Sequence, residues 1–272
     1  MLLCVAWLSN MAQLHDVVYV IYPCKPKIFR FNATTHERLT DIDMSHNDMI
    51  DTCDIAVCER TSRVYVSDFK QVWRVSADGE DQRLWLPKAT QEKFKPGALS
   101  VTATRLLVVP REAGQLRQFD AAGDELRRIQ LPEHMHPSHA VESPTRTLVI
   151  SHGNTKPPPP FSLALPSFFG QHQVSEVNTA GQVLRHFTVL PQLERGFGSN
   201  LSIALDSQGN VFVGDTDIGR ILLLDAQLAL RRVIIDEYHL TRHPKGLRYV
   251  ERSGQLLVGQ ANRVAVFDVL RR

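Results

Sequence analysis

Apolar and polar positions alternate in short runs along the whole chain. Runs of four to eight residues rich in Val, Leu, Ile and aromatics are broken by Gly, Asp, Asn and Ser. That period of two, bounded by turn formers, predicts β-strands. No stretch sustains a helical period. The clearest unit is GNVFVGDTDIGRILLLD (209–225), in which two apolar runs flank a polar tip. Its first run recurs. VYVIY centres on Tyr19, VYVSD on Tyr65, LLVVP on Leu107, LVISH on Val149, VFVGD on Phe212 and LLVGQ on Leu257. The spacings are 46, 42, 42, 63 and 45 residues. The long step contains an 18-residue insertion, TKPPPPFSLALPSFFGQH (155–172), and without it 45 residues remain.

Each unit repeats one grammar. A first run (DIAVCE, ALSVTA, HAVES, LSIALD, GLRYVE) precedes the aligned one. A third (KIFRFN, QVWRVS, QLRQFD, QVSEVN, RILLLD, RVAVFD) follows a variable tip, and a fourth closes most units. Four strands every 42 to 46 residues predict an all-β fold: a six-bladed β-propeller of four-stranded antiparallel blades. One four-stranded sheet cannot cover both its faces; packing blade on blade buries both, and closing the ring removes exposed ends. The whole chain, 1–272, reads as a single propeller domain. Its blades fall near 1–46, 47–91, 92–133, 134–193, 194–240 and 241–272, with the insertion in the fourth. LLCVAWL (2–8) reads as the first strand. The last unit lacks a fourth run, so the last blade is either three-stranded or completed by a strand from upstream.

The fifth unit resembles an NHL repeat. Asp206, Gly209, Asn210, Val213, Asp215, Arg220 and Ile221 match that motif, and VYVSDFKQVWRV matches it with a shorter tip through Asp68. Tyr22, Pro110, His152 and Gln260 replace the aspartate in the other units. The resemblance implies six blades, agreeing with the count. It also implies that Asp215 and Arg220 tie the tip of their own blade. The RING, B-box and coiled-coil segments that often precede such propellers are not seen in this sequence.

Charge and cysteines narrow the rest. The net charge of +2 sets up no global field for nucleic acid or an anionic membrane, and no apolar run has membrane-span length. The four cysteines, Cys4, Cys24, Cys53 and Cys58, form no CxxC. Cys53 and Cys58 sit five apart in one strand and so face opposite ways. They read as small buried thiols of a reducing compartment, which makes the expected location cytoplasmic. Sequons at Asn32 and Asn200 point weakly the other way.

No catalytic constellation and no cofactor motif stand out, so the expected function is a non-catalytic protein-interaction scaffold that takes a protein or peptide partner. The candidate partner residues are Lys25, Lys27, Lys70, Arg111, Arg220, Arg242, Lys245 and Arg263 on tip and inter-blade loops, and Phe161, Phe168 and Phe169 on the insertion. The basic loop face allows single-stranded RNA, with Tyr22 and Phe69 as stacking candidates. The enzymatic alternative resembles the gluconolactonase-like propellers, which hold calcium on the axis. Its candidates here are Asp54, Glu59, Glu142 and Asp206, with Asn200 beside them. EHMHPSH, read as a loop, offers His134, His136 and His139, with His152 on the next strand, but no metal site is assigned to them.

Overall fold

The computed structural model describes residues 10–47, 49, 52–68, 70–86, 95–102, 104–111, 114–154, 172–187, 197–198, 201–236, 244–261 and 263–269. Twenty-three strands among them form six antiparallel meanders. Blade 1 comprises β1 (Asn10–Leu14), β2 (Val17–Ile21), β3 (Lys27–Asn32) and β4 (Ile42–Asp43). Blade 2 comprises β5 (Thr52–Cys58), β6 (Arg63–Asp68), β7 (Val72–Ser76) and β8 (Gln82–Leu84). Blade 3 comprises β9 (Pro96–Val101), β10 (Leu106–Pro110), β11 (Gln115–Phe119) and β12 (Glu125–Gln130). Blade 4 comprises β13 (Met135–Glu142), β14 (Leu148–Asn154), β15 (His172–Val177) and β16 (Val183–His186). Blade 5 comprises β17 (Leu201–Leu205), β18 (Val211–Asp215), β19 (Arg220–Leu224) and β20 (Leu230–Ile235). Blade 6 has three strands among the described residues, β21 (Gly246–Val250), β22 (Gln255–Gln260) and β23 (Arg263–Asp268). The expected six-bladed propeller is thus the observed fold, and of the two expectations for the last blade the described residues show the three-stranded one.

The first strand of each blade touches the first strand of the next, and β21 touches β1, so the inner strands ring an axis. The alternation explains the packing. Because side chains leave the two faces of a strand in turn, each blade sends apolar residues into two neighbouring interfaces. Six core clusters result, one for each interface. Five of them hold nine to fourteen buried residues. The sixth, between blades 6 and 1, holds four among the described residues: Met11, Val18, Val20 and Leu257.

The innermost strand of blade 1 is Asn10–Leu14; LLCVAWL lies outside the described residues. Its register, Ala12 opposite Tyr19, matches Ala56 opposite Tyr65 and Ala204 opposite Phe212. Hydrophobicity points to the wrong segment because an inner strand borders the axis and accepts polar residues. The histidine-rich stretch is likewise not a loop. It enters β13, whose register shifts between Pro137 and His139.

Candidate functional site

The registers stack the inner strands into two rings around the axis. The upper ring comprises Asn10, Asp54, Ala98, His139, Ser202 and Gly246, and the lower ring two residues on comprises Ala12, Ala56, Ser100, Val141, Ala204 and Arg248. A cavity of about 490 Å³ opens toward the loops between second and third strands. Another of about 480 Å³ opens toward the opposite face. Asn10, His139, Ile203 and Leu247 line both, so the channel divides at that level.

Asp54 organises the upper ring. Its carboxylate, 3% exposed, accepts hydrogen bonds from Asn10 Nδ2 of blade 1, from the Leu99 amide of blade 3 at 2.6 Å and from the Ile55 amide at 2.8 Å. One side chain therefore stitches three blades. Burial pushes its pKa above the usual carboxylate range, against the opposing pull of His139 and the three donors. Burial likewise pushes the His139 imidazole below the usual histidine range, against the pull of Asp54. Asn10 is held close to the chain of blade 6. A Cβ on Gly246 would stand 2.5 Å from Asn10 Oδ1, so only glycine leaves room there.

The acids weighed for axial calcium do not converge. Asp54 is occupied as above. Glu59 is exposed in the turn after β5, while Glu142 borders a different cavity. Asp206 caps its own turn, accepting from the Gln208 and Asn210 amides at 3.0 and 2.8 Å. Asn200 lies outside the described residues. Among the described residues no three His, Cys, Asp or Glu side chains are grouped to hold a metal. The histidines also part company. His134 and His136 are exposed, His139 faces the channel, and His152 is buried against Ser175 Oγ at 2.8 Å.

At the tip of blade 5, the fully buried Asp215 accepts from Arg220 at 3.5 Å and from the Gly198 and Ile218 amides, each at 3.2 Å. Asp68 in blade 2 accepts from the Lys70 and Gln71 amides and, at 3.3 Å, from Trp73 Nε1, so an indole stands where blade 5 has its arginine. Arg220 is thus turned into the blade. Arg111 and Lys245 line the upper cavity. Lys25, Lys27 and Lys70 are exposed, with Lys27 3.7 Å from Asp43. Arg263 donates to Gln260 Oε1 at 2.7 Å. Arg242, Phe161, Phe168 and Phe169 lie outside the described residues, as does Phe69. Tyr22 packs edge-on against Phe29, with ring centroids 5.1 Å apart, rather than standing as an open stacking platform.

Cys24 corrects the cysteine reading. It is disulfide-bonded, its partner lying outside the described residues, while Cys53 and Cys58 form no disulfide. Cys24 sits exposed in the turn between β2 and β3, where a distant segment can reach it, and sequence spacing carries no record of such pairing. The premise for a reducing compartment therefore falls. Among the described residues no helix is long and apolar enough to cross a membrane.

A second concave feature lies at the thin interface. A groove of about 820 Å³ runs between blades 6 and 1. Val18, Phe31 and Ala33 line one wall, and Val250, Val264 and Val266 the other. Seven apolar side chains there, Tyr22, Phe29, Phe31, Ala33, Val250, Val264 and Val266, are only partly buried. Beyond β23 no fourth strand is present among the described residues.

No family model matches the sequence, and no curated protein matches it. Solved structures do. The hydrazine synthase of Kuenenia stuttgartiensis is 10% identical with a TM-score of 0.71, over 98% of this chain and 97% of that one. A chain of a nidogen/laminin complex is 13% identical with a TM-score of 0.66, over 90% and 85%. A streptogramin B lyase is 11% identical with a TM-score of 0.62, over 98% and 94%. At such identities the likeness establishes architecture alone: the chain is a six-bladed β-propeller.

Proposed function

We propose that the protein is a non-catalytic interaction scaffold of NHL-like type, which takes an extended peptide strand of a protein partner at the seam between blades 6 and 1. The observation that carries this reading is the incomplete sixth blade. Among the described residues five blades present four strands and a closed core, whereas the sixth presents three strands and a groove walled by half-buried valines. An extended peptide laid beside β23 can pair with its edge and set alternate side chains into the groove. The rim favours an acidic peptide. Lys25 stands 5.9 Å from the Tyr22 and Phe29 rings, and Arg252 and Arg263 border the groove, with Asp16 as the one acidic side chain among the lining residues. That a propeller of the same fold occurs in a nidogen/laminin complex is compatible with such a role. The loop-face cations Lys27, Lys70, Arg111 and Lys245 remain part of the proposal as further contacts for the partner.

The test is capture from the source cell lysate, followed by titration of the partner segment identified. Val264→Lys with Val266→Lys should abolish capture. Leu184→Lys on β16, a control at an exposed apolar position 48% accessible, should leave it intact. Equal capture by all three proteins, or capture that depends only on residues 155–172, overturns the reading. Self-association of the purified chain that the double variant abolishes would assign the seam to a second copy instead.

A further inference from the structure

Arg248 breaks the pattern of the lower ring. At equivalent register the other five blades place Ala12, Ala56, Ser100, Val141 and Ala204, all small or compact, whereas blade 6 places an arginine. The guanidinium is accessible to the channel yet enclosed by protein, and that enclosure pulls its pKa below the usual arginine value, against the pull of Glu59. It makes no hydrogen bond and no ion pair among the described residues; Glu59 acts on it only from beyond ion-pair distance. Five N–H donors in a fixed fork thus face a walled cavity with no acceptor in hydrogen-bond reach among the described residues. The fold does not require them: the other blades close the same ring with alanine, serine or valine.

We propose that the lower half of the channel binds a small organic monocarboxylate, its carboxylate gripped by Arg248. The chemistry follows from the walls. The cavity of about 480 Å³ lies within the range of small-ligand sites. Its charged side chains are Arg248, Arg60 and Glu59, leaving one positive charge in excess, which suits a monoanion rather than a phosphate dianion. The surrounding Ala12, Ala56, Val141 and Ala204 suit an apolar body. A carboxylate matches the guanidinium fork in bidentate fashion. This site is separate from the seam and stands or falls independently of the scaffold reading.

Titration calorimetry at low salt tests it with sodium benzoate, its neutral isostere benzamide, sodium butyrate and inorganic phosphate. Benzoate or butyrate should bind at one site per chain, and benzamide should give no saturable heat. Arg248→Met should weaken the carboxylate by about tenfold or more, and Arg248→Lys, which keeps the charge without the fork, should fall between. The lysine variant decides the matter should the methionine variant not fold. Equal binding of benzoate and benzamide, carboxylate binding unchanged in Arg248→Met, or no heat from any probe would each overturn the proposal. Arg248-dependent binding of phosphate alone would overturn the monocarboxylate assignment.

Discussion

Replacing Asp54 by alanine should be among the most damaging changes in the channel. The carboxylate satisfies Asn10 Nδ2 and the backbone N–H groups of Leu99 and Ile55. Alanine leaves those donors without their acceptor inside the ring. A buried donor left unmade costs about 1–3 kcal/mol. Against this stands the relief of removing a carboxylate whose desolvation raises its own pKa. With partial rehydration from the cavities, a net loss of about 3 kcal/mol is expected. That corresponds to about 6–12 °C in Tm for a chain of this size. Asp54→Asn separates the two effects. It removes the charge at constant shape, keeps one acceptor, and turns an amide donor toward the remaining donors, so it should cost about 1–2 kcal/mol. Urea unfolding at pH 7, followed by tryptophan fluorescence and by circular dichroism, measures both. An Asp54→Asn protein as stable as the parent would refute the reasoning, because desolvation would then outweigh the three donors. So would an Asp54→Ala loss below about 1 kcal/mol.

Gly246→Ala should lower stability by about 1–3 kcal/mol, because the new methyl meets Asn10 Oδ1 at 2.5 Å; combined with Asn10→Ala, the losses should fall short of additivity in a double-mutant cycle. At the blade tips, Arg220→Met removes the cation beside the fully buried Asp215, leaves it only the Gly198 and Ile218 amides among the described residues, and should cost about 3–5 kcal/mol in denaturant unfolding. Trp73→Phe removes only one of three donors to Asp68; the lost hydrogen bond accounts for about 1 kcal/mol of its cost, so it should be the milder change. His139 and His172 both titrate below the usual histidine range, mainly through burial. As pH falls through the ordinary histidine pKa the unfolded chain takes up protons that the folded one does not, so stability should fall, by at most about 1.4 kcal/mol per pH unit for each group. His139→Asn should flatten the slope of stability between about pH 7 and 5; an unchanged slope would show that His139 is not held neutral.

The architecture was legible because it depends on repetition. The residues at the six repeat centres, Tyr19, Tyr65, Leu107, Val149, Phe212 and Leu257, pair in the structure with the matching residues of the inner strands. What escaped lies where local pattern and environment disagree. LLCVAWL is more apolar than NMAQL, yet NMAQL is the inner strand, since one side of an inner strand meets channel water. Arg248 looks like an ordinary charged residue in GLRYV until the register sets it beside five small ones. His139 looked like a loop histidine because Pro137 interrupts the strand pattern, whereas the shift in register around it turns the imidazole toward Asp54. The Cys24 disulfide and the thin seam are long-range facts with no local signature. Only the seam was partly foreshadowed, by the missing fourth run of the last unit.

The two proposed sites meet at blade 6, and the energetics of closure explain why that matters. Blades 1, 2 and 3 are tied through the Asp54 carboxylate as well as through full interfaces. Between blades 6 and 1 the described residues supply four buried apolar side chains, the tight fit of Gly246 under Asn10, and an exposed ion pair of Arg252 with Asp16 at 3.8 Å. An exposed pair of that kind contributes at most about 1 kcal/mol. A ring opens first where its closure is weakest, and among the described residues this seam has the fewest buried contacts, so it has the most to gain from a ligand that binds only the closed form. A peptide strand beside β23 would complete the sixth blade. A carboxylate on Arg248 would neutralise a charge that the same blade now carries unpaired into the channel. Each would stabilise the closed ring through blade 6, so occupancy of one should favour occupancy of the other even though they face different spaces. Such coupling would arise from ring closure itself and would need no contact between the two ligands.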